Sequence, residues 1–218
     1  LHPQVGEYPF PHLSGAGVAW KLVSAFLSKY REYFGVPERW EEWLLDMAGF
    51  ATLSDMVPLV GENRLIAKYG ISVLRKNRRP GIAKLFKKIK MDPATINEDD
   101  LTFMLTPRLN AAGRMDTPYL AYNLLVSEND KEAEELAEKL EGMNTTRKTS
   151  VAQIMKEVKK KMAERDVPSV LVIGEPDWRI GVLGLVASKI VEEYKIPVFT
   201  WGRNDDGLIK GSVRSFGG

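Results

Sequence analysis

The sequence predicts an α/β chain with a mostly helical first part, a long connecting helix, and an incomplete β-α-β-β domain at its end. Three observations carry this expectation. Apolar residues recur three and four apart through the first part, the spacing of one buried helix face. The stretch from about Asp130 to Arg165 keeps that spacing with Ala133, Leu136, Leu140, Ile154, Met155, Val158 and Met162, long enough for a connector made of one helix or a helix pair. From Pro168 the texture changes to short β-branched and aromatic runs bounded by turn residues.

Each element follows from its residues. Val18, Leu22, Val23, Phe26, Leu27 and Tyr30 form one stripe after the small-residue turn Ser14-Gly15-Ala16-Gly17, and Trp40, Trp43, Leu44, Met47, Ala48 and Ala51 form another after Pro37. Both are expected to face a core. A third helix, from Glu62 or Asn63, is expected to bury Leu65, Ile66, Tyr69, Val73 and Leu74, and a shorter one after Pro80 carries Ile82, Leu85, Phe86 and Ile89. Ser54 to Leu59 is a non-helical corner between the second and third, and Thr106 to Met115 reads as a loop. Asp116-Thr117-Pro118 has the form of a helix cap followed by proline at the first helical position, before Leu120, Leu124 and Leu125. Val170 to Ile173, a helix over Val182 to Tyr194, Pro197 to Trp201 and Leu208 to Ser215 complete the β-α-β-β order. With no second crossover, the far face of such a sheet is expected to lie bare.

Composition excludes more than it names. The 218 residues, 44% hydrophobic and 28% charged, suit one large or two small globular domains. A net charge of +2 means that any basic surface is local. With no cysteine and only His2 and His12, disulfides, thiol chemistry and histidine-rich metal clusters lack material, so a metal would be held mainly by carboxylates. No apolar run approaches the ~20 residues of a membrane span and no signal segment is visible, which suggests a cytoplasmic protein. Leu1 in place of Met, and an end at Phe216-Gly217-Gly218 just after a strand, suggest an excerpt of a longer chain.

Several stretches hold polar groups that packing does not need. Asp55, ending an apolar helix, is either a surface residue at a helix end or a ligand for a hard cation such as Mg²⁺ or Mn²⁺. Arg108, Asn110 and Arg114, spaced by small residues, either cap helices in solvent or bring guanidinium forks to phosphate. Lys210, Ser212 and Arg214 alternate along a strand, so Ser212 and Arg214 share a face that suits a phosphate or a strand end, as exposed strands also often do. The turn Gly174 to Gly184 offers backbone N–H groups to an anion but lacks the spacing of a phosphate loop or dinucleotide fingerprint. Arg75 to Lys90 holds eight basic residues and no acid, as a solvated helix face often does. Trp20, Trp40, Trp43, Tyr69 and Phe86 sit on apolar stripes and are expected in the core.

In this order the stretches resemble the RecJ family of the DHH phosphoesterase superfamily. Leu1-His2-Pro3 with Leu13 to Ala19 resembles the segment after the DHH motif, and Ala51 to Arg64 the last metal-binding motif; Pro107 to Met115, Asn144 with Arg147, Trp178 to Ser188, and Lys210 to Ser215 follow as in that family. The resemblance implies residues 1–128 as the end of a DHH domain, 129–166 as connector, and 167–218 as the start of the associated nucleic-acid-binding domain. It implies a two-metal exonuclease that uses Mn²⁺ or Mg²⁺ to remove nucleotides from the 5′ end of single-stranded DNA. By position, Asp55 would be the last acidic metal ligand, Arg108, Asn110 and Arg114 would line the cleft between domains, and Ser212, Arg214 and Lys210 would grip phosphates or the 5′ end. Single-stranded DNA is the implied partner, with a helicase or single-strand-binding protein as further candidates. The upstream acidic motifs, the Asp-His-His motif and a later glycine- and histidine-rich motif are absent from the sequence, so the segment is expected to be inactive by itself. Trp178-Arg179 also stands where the family commonly has Trp-His. A phosphodiesterase of cyclic dinucleotides or short oligonucleotides, and a non-catalytic single-strand-binding relative, are the competing readings.

Overall fold

A computed structural model describes residues 2–163 and 166–216. Leu1, residues 164 and 165 at the end of the expected connector, and Gly217-Gly218 lie outside the described residues. Packing divides the chain into two compact units, Leu1–Pro107 with Tyr122–Glu138, and Arg108–Ala121 with Lys139–Gly218. These units are defined by packing and do not follow the linear segments 1–128, 129–166 and 167–218.

The first unit begins with α1 (Gly15–Tyr30), started by Ser14, whose hydroxyl accepts from the Gly17 N–H at 3.1 Å and lies 3.1 Å from the Thr52 hydroxyl. A 3₁₀ turn (Trp40–Leu44) leads into α2 (Leu45–Ser54), followed by α3 (Gly61–Leu74) and α4 (Pro80–Lys88). α2 and α3 cross backbone on backbone, since a Cβ added at Gly49 would stand 2.7 Å from the Gly70 Cα. Leu45, Ala48 and Ile66 cluster at this crossing, with Leu13, Trp20 and Val73 against them.

Three expectations about faces are corrected. α1 buries Gly17 and Leu27, while Leu22, Phe26 and Tyr30 stay exposed; Phe26 stacks with Tyr30 and Phe34 instead. α3 buries Ile66, Ala67, Gly70, Ile71 and Leu74, and leaves Leu65 and Tyr69 in solvent. The close approach at Gly70 rotates the helix so that small residues meet α2. Of the tryptophans and aromatics expected in the core, Phe86 is buried, Trp20 is half-buried with its indole N–H on the Glu41 carbonyl at 2.9 Å, and Trp40 is exposed. Trp43 is half-buried under Lys76 and Arg78, 4.6 and 3.9 Å from its ring.

The basic stretch around α4 is more than a solvated face. Arg75 donates to the Ile96 carbonyl, Lys84 pairs with Asp130 at 3.0 Å, Lys88 pairs with Glu138, and Arg79 forks onto the buried Asp46 at 2.5 and 3.0 Å. Arg79→Met would leave the Asp46 carboxylate buried without its cation. Because Arg79 is itself partly exposed, the expected loss is about 2 kcal/mol, below that of a fully buried pair, read as a shift in urea midpoint.

A π-helical turn (Asp100–Leu105) runs without a break into α5 (Thr106–Met115), so the stretch expected as a loop is helical. Tertiary burial overrides its weak local propensity, for Ala111 and Ala112 are fully enclosed. α6 (Tyr119–Val126) follows, and α7 (Asp130–Ala163) is one continuous helix of 34 residues.

In the second unit β1 (Leu171–Gly174), α8 (Ile180–Tyr194), β2 (Val198–Arg203) and β3 (Ile209–Arg214) form the expected β-α-β-β order. Among the described residues the sheet has three strands in the order β1-β2-β3, the first pair parallel and the second antiparallel. Val182, Leu183, Val186 and Ile190 of α8 pack between Leu171, Ile173 and Val198 of the sheet and Val151, Ile154 and Val158 of α7. Trp178 is buried there and its indole N–H reaches Glu157 at 2.8 Å. Val172, Phe199, Ile209 and Val213 are 64%, 43%, 63% and 50% exposed, the bare far face expected of a sheet with a single crossover.

Candidate metal ligand and nucleic-acid interface

Asp55 caps the C-terminus of α2, its N–H on the Ala51 carbonyl at 2.9 Å and its side chain in solvent. Met56 then adopts a left-handed backbone (φ 52°), which ends the helix sharply. Two groups that sequence reasoning passed over fix this corner. Asn63 is fully buried and donates to the carbonyls of His12 and Pro58 at 2.7 and 3.0 Å. The hydroxyls of Ser54 and Thr106 lie 2.6 Å apart, and Thr106 donates its own proton to the Leu101 carbonyl at 2.9 Å, so Ser54 is the donor between them. Leu101 also accepts the Thr106 N–H, the bond that closes the π-helical turn. Asp55 thus stands exposed on a corner that these bonds hold in place. Among the described residues no three Asp, Glu or His side chains come together as a metal cage, so these residues do not fit a complete two-metal site.

The residues expected to meet phosphate lie in the second unit. Arg108 is buried on α5 and forks onto Glu141 of α7, with Nη2 at 3.2 Å from Oε1. Arg114, six residues further along α5, points Nη1 at the Gly181 carbonyl in the first turn of α8, a long 3.5 Å contact. Arg147 of α7 donates to the Oδ1 of the fully buried Asn144 at 2.9 Å. Its Nε, and the Nδ2 of Asn144, are buried donors with no partner. Burial first, then the charges of Arg114 and Arg108, hold the Arg147 guanidinium below the ordinary arginine range. Arg108, Arg114 and Arg147 thus lie close enough for their charges to oppose one another, with Glu141 on Arg108.

β3 brings the remaining residues to the same helix. Ser212 pairs with Thr200, and Arg214 with Val198, whose side chains are buried toward α8, so both point to the α8 side of the sheet. A Cβ added at Gly184 would stand 3.1 Å from Arg214 Nη2 and 3.5 Å from Ser212 Oγ, which places both against α8 one turn from Gly181. Arg114 and Arg214 therefore meet successive turns of one helix. Lys210 of β3 lies opposite Gly202 of β2 and is exposed; Asn110 is exposed on α5. Arg179 occupies the cap position before α8 and makes no side-chain capping bond. Asp55 belongs to the first unit, and Arg108, Asn110, Arg114, Lys210, Ser212 and Arg214 to the second. Arg147, Asn144 and Glu141 complete the cluster. The spacing Asn144-x-x-Arg147 was visible in the sequence, but the partnership of Glu141 with Arg108 was not.

No family model matches the chain. Over 222 residues it is 38% identical to the single-stranded-DNA-specific exonuclease RecJ of Bacillus subtilis, with all of this chain matched to 27% of that protein. It is 35% identical over 233 residues to the RecJ of Escherichia coli, with all of this chain matched to 40% of that protein. The crystal structure of RecJ from Thermus thermophilus in complex with Mg²⁺ superposes with a TM-score of 0.80 at 29% identity, covering 99% of this chain and 32% of that one. A manganese-bound RecJ structure superposes with a TM-score of 0.82 at 28% identity, covering 99% of this chain and 52% of that one. The chain spans between 27% and 40% of the length of these two curated relatives. In sequence and in backbone alike, the whole chain is RecJ-like.

Proposed function

We propose that the chain is the part of a RecJ-like exonuclease that supplies one metal ligand, Asp55, and a phosphate-binding surface for single-stranded DNA. The observation that supports this best is the convergence of Arg114, Ser212 and Arg214 on the first turns of α8, with Arg147 within range of the Arg114 charge and its Nε buried without a partner. Phosphate oxygens are the natural complement, since the planar guanidinium fork matches two of them at once. Arg108, held by Glu141, lies near enough for its charge to act on Arg147. In this reading the two-metal hydrolysis from the 5′ end, with Mn²⁺ or Mg²⁺, is completed by ligands outside these residues, and the segment alone is inactive. The parent is a cytoplasmic nuclease that works on strands delivered by a helicase or a single-strand-binding protein.

The test is fluorescence anisotropy with a labelled single strand, in the full-length parent, with chelator present and at several salt concentrations. Arg114→Ala and Arg214→Ala are each expected to weaken binding regardless of base sequence and to make the salt slope shallower by about 0.7. Arg→Lys at the same positions is expected to recover part of the loss. An unchanged slope with a lowered melting temperature would assign these arginines to structure and overturn the reading.

A further inference from the structure

A groove of about 840 Å³ runs between α7 and α8 in the second unit, beginning at Arg147. Its α7 wall is Lys148, Val151, Ala152, Met155 and Lys159, residues spaced three, four, seven and eleven apart and so on one helix face. Leu185, Ser188 and Lys189 of α8 form the other wall, with Glu192 and Glu193 further on. From residue 147 to 159 the helix rises about 18 Å, room for a few extended nucleotides.

The two ends differ in charge. At the far end Lys159 is answered by Glu193 at 3.1 Å, with Glu192 beside it. At the near end Arg147 and Lys148 face the groove, Lys189 stands one turn before Glu193, and among the described residues neither of these two lysines forms an ion pair. The floor between the ends is apolar: Val151, Met155 and Leu185. An apolar floor under a cationic rim suits a chain that alternates anionic groups with flat apolar ones. Arg147 lines the entrance and belongs to the arginine cluster as well, and this continuity with a phosphate-binding surface favours a nucleic-acid strand over an acidic amphipathic peptide.

We propose that this α7–α8 groove is a second seat for a nucleic-acid strand, continuing the path from the arginine cluster, with Lys148 and Lys189 on its phosphates and bases against Val151, Met155 and Leu185. The proposal rests on the function proposed above and extends it. It makes affinity depend on strand length: a trinucleotide would be held by the arginine cluster alone, while a longer strand would also occupy the groove.

Binding of a labelled oligothymidylate trinucleotide and of a strand about four times longer is measured by anisotropy with the 218-residue chain. The double variant Lys148→Gln/Lys189→Gln keeps helix-forming side chains and removes both charges. It is expected to bind the long strand several-fold more weakly, with a salt slope shallower by about 1.4, and to bind the trinucleotide as wild type does. If Arg114→Ala and Arg214→Ala weaken both lengths while the lysine variant weakens neither, the groove is off the path and only this proposal fails. If the arginine variants weaken neither length, or the wild-type chain binds neither, the underlying function fails and this proposal with it. An acidic amphipathic peptide that binds the wild type and not the lysine variant, without competing with the long strand, would assign the groove to a protein partner and overturn the proposal. Melting temperature of each variant separates loss of a contact from loss of the fold.

Discussion

Asp55→Ala in the full-length parent is expected to lower turnover on single-stranded DNA by orders of magnitude while leaving strand binding nearly unchanged. The side chain is exposed, and what holds the end of α2 is the residue's own N–H, which alanine retains. Its removal therefore costs little stability. A carboxylate lost from a metal cluster weakens metal binding and misplaces the nucleophile, so the loss falls on the chemical step. Single-turnover cleavage with Mn²⁺, set beside anisotropy and thermal melting, reads the three effects separately. Equal losses of binding and turnover would mark Asp55 as a folding residue. The 218-residue chain alone, with the same strand and metal, is expected to release no nucleotide. Chelator-sensitive release that survives Asp55→Ala would overturn both expectations.

The second large effect is expected at Gly181, where α8 meets α5. A Cβ there would stand 1.8 Å from the Arg114 carbonyl oxygen and 2.8 Å from its carbon, both backbone atoms that no rotamer change can move. Gly181→Ala must push the end of α5 away from α8, at a cost of more than about 3 kcal/mol, and it carries Arg114 with it. Gly184→Ala, one turn on, is the contrasting case. Its Cβ would meet the flexible end of Arg214 at 3.1 Å, which can yield. Because alanine favours a helix over glycine, stability is expected to change by no more than about 1 kcal/mol. Strand binding should weaken nonetheless, since Arg214 is displaced. Urea denaturation and anisotropy on both variants check this; equal stability of the two would refute the close approach of α5 and α8.

What was legible in the sequence was whatever contiguous residues decide. Period 3.6 in the first part and period 2 after Pro168 announced the helices, the long helix from Asp130 and the β-α-β-β order, and period 2 placed Ser212 and Arg214 on one face of β3. The order of short stretches carried the RecJ resemblance, which identity over the whole chain bears out. The single crossover implied a bare sheet face. The tertiary structure alone decided which neighbour each stripe meets. Leu65 and Tyr69 belong to the apolar pattern of α3, yet the crossing at Gly49 and Gly70 turns them outward. Thr106 to Met115 has the proline, glycine and asparagine of a loop; it is helical because Ala111 and Ala112 are enclosed and Thr106 is tied to Leu101 and Ser54. Arg108 reaches Glu141 across 33 residues and Arg114 reaches Gly181 across 67, pairings that no local spacing encodes. Helical and strand periods are set by the geometry of adjacent peptide units, whereas the partner of a buried charge is set by which distant surfaces exclude water together.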